Sequence, residues 1–353
     1  MNSKKKILKG LSLEELQETL TEIGEKKFRA SQIFNWMYNK HVTSFEQMSN
    51  LSKDFRQKLN DNFSLLTLTN VTVNQSKTTK TQKFLFETYD NRKIESVIIP
   101  DGDRITLCLS TQVGCPLDCK FCATGLMGYK RNLSAGEIVD QYILTSLEIP
   151  PQKITNIVYM GMGEPLLNYQ GTLNSLKIFT DEKSTGLSRQ KITVSTAGIP
   201  HRIVDLADSG LRVKLALSLH SCFDEIRNQI MPINEKYSLK ELKETIRYYS
   251  EQTKTRITFE YTMLKGINDR DEDIKAITKL CRSIPSKINI IPFNSIKHMA
   301  PDGISAELEP TEMKRINQFA DELRKNNVTV MLRDTQGDDI AAACGQLAIK
   351  ENV

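Results

Sequence analysis

From residue 105 onward the sequence alternates between short apolar segments and amphipathic segments, and this alternation limits the possible folds more than any other feature. Helical stretches separate six segments that are typical of strands: ITLCLS, ITNIVYM, KITVST, VKLALSLH, RITFEYTML and KINIIPF. Six β/α units in a row predict an α/β fold with a parallel sheet. Right-handed crossovers would curl that sheet into a full or partial barrel of the TIM type. A last helix, TEMKRINQFADELRKNN, and a last strand, VTVMLRD, follow.

The segments before residue 105 have a different character. Ser12 and Glu15 form a capping-box pattern at the head of LSLEELQETLTEIG, and further helices are predicted through RASQIFNWMYNK and DFRQKLNDNF. KFLFETYDNRKIESVIIP reads as two strands around an Asp90-Asn91 turn. We therefore expect a helical domain, a β-hairpin connection, a β/α barrel and a C-terminal tail, over residues 1–70, 71–104, 105–335 and 336–353.

Composition places the chain among ordinary globular proteins. Of its 353 residues, 39% are hydrophobic and 26% are charged. No apolar run approaches the roughly 18 residues of a membrane helix, and the lysine-rich start lacks the apolar stretch of a signal peptide. We expect a cytoplasmic protein with reduced thiols and no membrane association. The net charge of +5 permits a polyanionic partner without requiring one.

Three of the seven cysteines, Cys115, Cys119 and Cys122, are spaced C-x3-C-x2-C. Disulfides use cysteines in pairs, and a structural zinc ion usually takes four protein ligands. A 4Fe–4S cluster held by three thiolates instead leaves one iron open for a small molecule. The spacing favours such a cluster. A zinc site completed by His220 or Cys108 is the alternative.

Polar residues recur where the predicted strands end. The three-cysteine loop follows the first strand, MGMGEP ends the second, and Ser195, His220 and Asn294 end the third, fourth and sixth. In parallel β/α folds, ligands bind at the carboxyl ends of the strands. Core packing alone does not require polar residues at every strand end, so we predict one site at one mouth of the barrel.

The cysteine motif after the first strand of a β/α barrel resembles the radical S-adenosylmethionine superfamily. GMGEP is similar to the glycine-rich motif of that superfamily, which lies near the amino group of the cofactor. The resemblance implies a partial (β/α)6 barrel whose cluster is held by Cys115, Cys119 and Cys122. It also implies that the open iron binds S-adenosylmethionine, which one electron cleaves to a 5′-deoxyadenosyl radical.

A narrower resemblance comes from seven motifs in this order: VGCPLDCKFCATG, YMGMGEPL, ITVSTAGIP, LALSLHS, MPINEKY, IPFN and DDIAAACGQL. Together they resemble the radical enzymes that methylate carbon 2 of adenine. Their substrates are 23S ribosomal RNA, in the peptidyl transferase centre, and certain transfer RNAs. The resemblance covers residues 8 to 350 and implies that the N-terminal helices form an RNA-binding accessory domain. It implies a protein reductant such as flavodoxin or ferredoxin, and we expect a monomer.

The resemblance also implies roles for residues outside the cluster. Cys344 would take a methyl group from one S-adenosylmethionine molecule, and a second molecule would yield the radical that activates that methyl for addition to the adenine. Cys108 would resolve the protein–RNA adduct by forming a disulfide, with Glu95 as the general base. The cofactor contacts would be Gly163, Glu164, Ser195, Ser218, Leu219, His220 and Asn294.

Two other functions stay open at this point. A sister family that confers antibiotic resistance methylates carbon 8 of the same ribosomal adenine, but it reads GEA where this chain has Pro165 in GEP. A non-catalytic RNA-binding protein with a structural metal would need neither Cys108 nor Cys344. The chain also departs from the family at residues 334–337, DTQG, where a basic residue is expected before the glycine.

Overall fold

The structure of the protein is a computed structural model that describes residues 5–349, and its N-terminal part is the predicted set of helices. A short strand, β1 (Lys6–Ile7), pairs in parallel with β2 (Phe63–Ser64). Between them lie α1 (Leu13–Glu22), α2 (Phe28–Tyr38) and α3 (Lys53–Asn62). The capping box is present, because Ser12 Oγ accepts from Glu15 N while Glu15 Oε2 accepts from Ser12 N at 2.7 Å.

Three antiparallel strands follow: β3 (Leu68–Gln75), β4 (Gln82–Thr88) and β5 (Lys93–Asp101). The hairpin of β4 and β5 around Asp90 and Asn91 is the predicted one. β3 was not predicted, because every residue of this edge strand after Leu68 is exposed or half-buried and most are polar. β5 pairs in antiparallel fashion with β6 (Arg104–Cys108), so the three strands extend the sheet of the barrel.

A small separate sheet shapes the three-cysteine loop. β7 (Gln112–Gly114) pairs with β8 (Tyr129–Asn132), and one helical turn, α4 (Ala123–Leu126), lies between them. Gly114 has a φ of +74°, and a Cβ at this position would lie 1.8 Å from Gly128 O. The close approach of the two backbones therefore requires glycine at position 114.

Six further strands continue the parallel sheet from β6: β9 (Asn156–Tyr159), β10 (Ile192–Thr196), β11 (Lys214–Ser218), β12 (Ile257–Met263), β13 (Ser286–Pro292) and β14 (Val330–Leu332). The intervening helices are α5 (Ala135–Glu148), α6 (Tyr169–Thr180), α7 (Pro200–Asp208), α8 (Asp224–Ile230), α9 (Leu239–Thr253), α10 (Asp271–Ser283), α11 (Gly303–Glu307) and α12 (Met313–Lys325). The six predicted β/α units are confirmed. The sheet has β14 and β3 as its two edges, so the barrel is partial.

The two sides of the curved sheet differ in polarity. Residues such as Leu215, Leu217 and Phe259 are buried in the apolar core. The alternate positions include Ser218 and Glu260, which face the interior of the barrel. The apolar core therefore lies largely outside the barrel, and the interior is free to carry polar chemistry.

A buried ion pair joins the N-terminal helices to the barrel. Lys9 Nζ lies 3.2 Å from Asp140 Oδ1 of α5, and neither side chain is exposed. Thr67 donates to Asp140 Oδ2 through both its backbone N–H and its hydroxyl, at 2.7 and 2.6 Å. Beside this pair the backbone of Gly10 packs so closely on Gly136 that a Cβ on Gly10 would lie 2.4 Å from Gly136 N.

No helix within residues 5–349 is both long enough and apolar enough to cross a membrane.

Candidate active site

The predicted strand-end residues converge on a cavity of about 160 Å³ at the carboxyl ends of the parallel strands. Five of the seven predicted cofactor contacts line it: Gly163, Glu164, Ser195, Ser218 and His220. The other two do not. Leu219 is buried in the core, and Asn294 lines a neighbouring groove. The polar strand ends therefore share one mouth of the barrel.

Cys115, Cys119 and Cys122 form one wall of this cavity. Burial raises the pKa of the Cys115 thiol to about 12, and burial together with the neighbouring cysteines raises the pKa of Cys119 further. Thiols in such a place ionise when a bound metal centre supplies positive charge. The loop therefore fits a cationic inorganic group.

The arrangement of these thiols bears on which group fits. Within residues 5–349, no three side chains of His, Cys, Asp or Glu converge closely enough to hold a single metal ion. A zinc ion needs such convergence, whereas a cube of four irons offers a separate iron to each thiolate. Three thiolates on one loop match the three irons of a 4Fe–4S cluster that take protein ligands.

Glu164 connects two strand ends behind the cavity wall. Its Oε2 accepts a hydrogen bond from Ala197 N at 2.8 Å and its Oε1 accepts one from Leu166 N at 2.9 Å. Burial raises the pKa of this carboxyl, and the two backbone donors oppose that rise. The Thr196 side chain is a third donor to this carboxylate. Of the roughly four acceptor positions of a carboxylate, one is left for a further donor, such as an ammonium group in the cavity.

The backbone before Glu164 requires a glycine at position 163. Its φ is +97°, and a Cβ there would lie 2.5 Å from the side chain of Gln112. Gln112 in turn accepts the backbone N–H of Glu164 at 2.8 Å. A larger residue at position 163 would separate this pair and displace the carboxylate.

His220 is a neutral ring in the cavity wall. Its Nδ1 accepts a hydrogen bond from Thr262 N at 2.9 Å, so the ring proton is on Nε2. Burial, together with the charge of Arg227, lowers its pKa to about 3. The ring centroid lies 4.5 Å from that of Phe121 in the cysteine loop. The two rings make an apolar surface suited to a flat ligand.

Arg227 was not predicted, although it organises the floor of the cavity. The residue is fully buried, and its guanidinium donates to three backbone carbonyls that follow β10 or end β11: Ala197 O at 2.6 Å, and Ser218 O and Leu219 O at 3.1 Å. A fourth bond reaches Asn234 Oδ1 at 2.7 Å. In the sequence, DEIRNQI resembles a solvated helix, and only the helical spacing of Arg227 from the buried Ile230 pointed inward.

The second cavity, a groove of about 350 Å³, opens beside the first and brings the two further cysteines together. We call it the lateral groove, and it is lined by Cys108 and Cys344 at one end and by Arg104 at the other. Cys344 also lines the first cavity, so its thiol stands between the two. All seven cysteines are free thiols.

The two thiols differ in accessibility. Cys344 is exposed where the cavities meet, whereas Cys108 is buried at the end of β6. Burial raises the pKa of Cys108 to about 12, and the neighbouring Cys344 adds to the rise. Although Cys344 is open to solvent through the cavities, the surrounding protein partly desolvates its thiol and raises its pKa, and Arg333 opposes this rise. The pair therefore combines one accessible sulfur with one sheltered sulfur nearby.

Two hydrogen bonds hold the backbone of the segment that carries Cys344. Gly345 O accepts Ala123 N, directly after the cluster cysteines, at 2.7 Å. Asn294 Nδ2 donates to Cys344 O at 3.1 Å, so this predicted cofactor contact holds the cysteine segment instead of lining the first cavity. Gly337 and Gly345 both have positive φ, in keeping with the turns on either side.

Glu95 reaches the same segment from β5. Its Oε2 accepts Ala348 N at 3.1 Å, and its Oε1 lies 2.9 Å from Lys83 Nζ. Burial raises the pKa of this carboxyl while Lys83 opposes the rise. The predicted general base thus lies beside the tail that carries the predicted methyl acceptor, although 249 residues separate Glu95 from Cys344.

Comparisons with known proteins agree with this geometry. Residues 7–65 match the family model of the ribosomal RNA large subunit methyltransferase N-terminal domain, and residues 109–280 match the radical SAM superfamily. The chain resembles a crystal structure of a radical SAM methyltransferase from Sphaerobacter thermophilus, with a TM-score of 0.91 and 38% identity over 97% of this chain and 99% of that one.

Curated relatives extend over the whole length. A probable dual-specificity RNA methyltransferase RlmN from Cytophaga hutchinsonii is 44% identical over 99% of this chain and 94% of its own. One of the same name from Thermotoga sp. strain RQ2 is 43% identical over 98% of both chains. The chain belongs to the RlmN family of radical SAM dual-specificity RNA methyltransferases.

Proposed function

We propose that this protein methylates carbon 2 of adenine in 23S ribosomal RNA and in certain transfer RNAs, with a cysteine as the methyl carrier. The observation that carries this proposal is the position of Cys344, an exposed residue that lines both the first cavity and the lateral groove. A methyl group on that sulfur could be loaded from one cavity and delivered to a base in the other.

The family implies S-adenosylmethionine and an iron–sulfur cluster, and the first cavity is where they would bind. Cys115, Cys119 and Cys122 would hold a 4Fe–4S cluster. When bound, the cluster and one S-adenosylmethionine molecule would supply a 5′-deoxyadenosyl radical, and a second S-adenosylmethionine molecule per turnover would supply the methyl group. Side chains of Glu164, Ser195, Ser218 and His220 would contact the cofactor, together with backbone at Gly163. Leu219 would contribute only through its backbone, and Asn294 through the cysteine segment.

Cys344 would act first, as a thiolate. Its sulfur takes the methyl group of one S-adenosylmethionine molecule, so the thiol loses its proton and S-adenosylhomocysteine leaves. Loss of a hydrogen atom from that S-methyl group leaves a carbon radical on the Cys344 side chain. This radical adds to carbon 2 of an adenine in the lateral groove, because that ring carbon is electrophilic and does not attack a methyl donor itself.

Glu95 and Cys108 would then release the product. The adduct would pass one electron to a one-electron acceptor, chemistry that the oxidised cluster held by the three cysteines would supply, and Glu95 would take the proton of carbon 2. The Cys108 thiolate attacks Cys344 Sγ, which forms a disulfide and breaks the bond from that sulfur to the transferred carbon. The freed carbon takes a proton and becomes the methyl group. Burial raises the pKa of Glu95, and a carboxylate with a raised pKa is a stronger base for this step.

The rest of the chain has a role in this proposal. Residues 1–70 would form an accessory domain that binds RNA, 71–104 a connection, 105–335 the catalytic barrel and 336–353 the tail with Cys344. RNA recognition would involve an unpaired or flipped-out base. A flavodoxin or ferredoxin would supply electrons, and the protein would act as a monomer in the cytoplasm.

The test is a comparison of RNA from strains with and without the gene. Ribosomal and transfer RNA are digested separately and chromatographed with 2-methyladenosine and 8-methyladenosine standards. We expect 2-methyladenosine to disappear from both pools. Loss of 8-methyladenosine instead would assign the chain to the sister chemistry, despite Pro165. No change in either base would favour a non-catalytic metal-bearing RNA-binding protein.

A further inference from the structure

Five basic residues recur at one level inside the partial barrel. Each lies four residues before a residue that lines one of the two cavities. Those lining residues are Cys108, Ser195, Ser218, Glu260 and Ile291. Arg104, Lys214 and Lys287 lie within β6, β11 and β13, where side chains alternate, so each faces the same way as the residue four positions later. Lys191 and Arg256 directly precede β10 and β12. We call these basic residues the cationic ring: Arg104, Lys191, Lys214, Arg256 and Lys287.

The ring lies at the end of the barrel opposite the cluster loop. Four residues of strand are about 13 Å long, so the ring is about that far below the reactive sulfurs. It reaches from β6 to β13 across five strand-to-strand steps, or about 24 Å of arc. Inward positions of a closed β/α barrel normally carry branched apolar residues that fill the interior. A ring of cations there is therefore not explained by packing.

The ring carries an excess of positive charge. Among residues 5–349, no carboxylate lies within ion-pair distance of any of the five. Lys214 and Lys287 are half-buried, and the other three are exposed. Burial lowers the pKa of Lys214 and of Lys287, and neighbouring cations lower both further, although Glu260 partly offsets this for Lys287. Accessible cations that repel one another mark a place for an anionic partner.

Two ring residues are held in place by neutral acceptors. Arg256 Nη2 donates to Ser286 O at 2.6 Å and to Thr329 Oγ1 at 3.0 Å, and Arg104 Nε donates to Thr106 Oγ1 at 3.1 Å. These bonds orient the guanidinium groups without cancelling their charge. The remaining N–H groups stay available to oxygen atoms of a ligand.

The lateral groove connects the ring to the chemistry. Arg104 and Thr106 line its lower end, and Cys108 and Cys344 line its upper end. Asp101 and Asp334 also line the groove, and both are exposed, so the approach carries charges of both signs. Arg333 lines the groove as well as the first cavity. A molecule that reaches from the ring to Cys344 therefore meets cations along its path, which favours an anionic molecule.

We propose that the cationic ring binds backbone phosphates of the RNA strand whose target adenine extends up the lateral groove to Cys344. This inference rests on the proposed function, and it names the part of the RNA that the barrel itself would hold. A single small anion would use one or two of the cations, whereas an arc of about 24 Å suits successive phosphates of a single strand. Phosphate contacts position the strand and leave the choice of base to the groove.

The experiment compares two double variants with the same change in net charge. K214Q/K287Q removes two ring charges. K240Q/K314Q removes two exposed lysines from α9 and α12, and neither lysine has an ion-pair partner within residues 5–349. Binding of a single-stranded RNA that contains the target adenine is measured against KCl concentration. Losing two phosphate contacts should reduce the slope of log K against log salt by about 1.4 and weaken binding roughly 25-fold at 0.1 M.

The control variant should bind like the wild type, and K214R/K287R should restore the wild-type slope. Methylation of Cys344 in the absence of RNA, followed by mass spectrometry, should be unchanged in K214Q/K287Q and shows that the site is intact. An unchanged slope in K214Q/K287Q overturns the inference. Failure of the wild type to methylate Cys344 would instead contradict the proposed function, and the salt slope would still decide whether the ring binds RNA.

Discussion

Lys83 and Glu95 form an ion pair across two adjacent antiparallel strands, with Lys83 Nζ 2.9 Å from Glu95 Oε1, and both side chains are largely buried. Lys83 Nζ also donates to Ala341 O at 3.2 Å, and Glu95 Oε2 accepts Ala348 N. The pair therefore holds the Cys344 segment on both sides of the cysteine. It also makes the pKa of the proposed base, Glu95, depend on one lysine.

Replacing Lys83 by methionine should raise the pKa of Glu95. Burial already raises that pKa and Lys83 opposes the rise, so without the lysine the protonated form is favoured over a wider pH range. A base must be ionised to act, so the rising limb of the single-turnover rate of adenine methylation should move to higher pH. Methyl transfer to Cys344 should be less affected.

The control for this change is Lys93→Met on β5, which removes a half-buried lysine without an ion-pair partner within the described part of the chain. It should leave the pH profile unchanged. Glu95→Gln should slow methylation about 10²–10⁴-fold at all pH values, as expected for the loss of a general base. A Lys83→Met profile with the wild-type midpoint would show that the lysine only supports the fold.

The two cysteines of the lateral groove should give opposite mass-spectrometric results. Cys344→Ala removes the methyl acceptor, so neither a methylated protein nor methylated RNA should form. Cys108→Ala keeps the acceptor and removes the resolving sulfur, so a covalent protein–RNA species should accumulate and resist denaturation. Cys281→Ala, at a half-buried cysteine outside both cavities, should behave like the wild type. Turnover by Cys344→Ala would exclude the covalent route.

Arg227→Met should damage the cofactor cavity more than its size suggests. The substitution leaves three backbone carbonyls without the donor they now share. A buried carbonyl left without its donor costs about 1–3 kcal/mol of stability. We expect a matching fall in the free energy of unfolding in urea and weaker binding of S-adenosylmethionine to the anaerobically reconstituted protein.

Arg227→Lys should recover only part of this loss, because an ammonium group cannot reproduce the planar fork of donors. Arg247→Met, on the exposed side of α9, provides the comparison and should stay within about 0.5 kcal/mol of the wild type. Cofactor binding by Arg227→Met equal to that of the wild type would show that the carbonyls can hold their positions alone.

Breaking the joint between the helices and the barrel should also be costly. Lys9→Met leaves Asp140 buried and unpaired, which costs about 3–5 kcal/mol. The double variant K9M/D140N should be more stable than Lys9→Met alone, because it removes both charges. Lys6→Met, whose side chain is half exposed, should change the free energy of unfolding in urea by less than about 1 kcal/mol. Equal stability of all three variants would contradict a role for the ion pair.

Local patterns in the sequence were enough to predict much of this structure. The capping box at Ser12, the six β/α units and the arrangement of polar strand ends all follow from short-range spacing. The pairing of Lys83 with Glu95 depends on the register of two strands. The contact of Glu95 with Ala348 joins residues 253 positions apart. No local pattern encodes such a distance.

Arg227 shows a second limit of sequence reading. In most helices an arginine between polar neighbours lies in solvent, and only the carbonyls that end β10 and β11 make this one a buried residue. Those carbonyls are provided by the backbone and leave no trace in side-chain chemistry. Leu219 and Asn294 were predicted as cofactor contacts, yet neither lines the first cavity. A residue next to a site can contribute through its backbone or by holding a neighbouring segment, and neither role can be read from the sequence.

The joint at Lys9, Gly10 and Gly136 has a consequence for the proposed methylation of two kinds of RNA. With a buried ion pair and two glycine backbones in contact, the helical part has no room to swing relative to the barrel. The distance between the helical part and the barrel is then fixed. An RNA that contacts both parts would have to place its adenine at that distance from its contact with the helices, whatever its sequence. Ribosomal and transfer RNA would then be selected by the same distance.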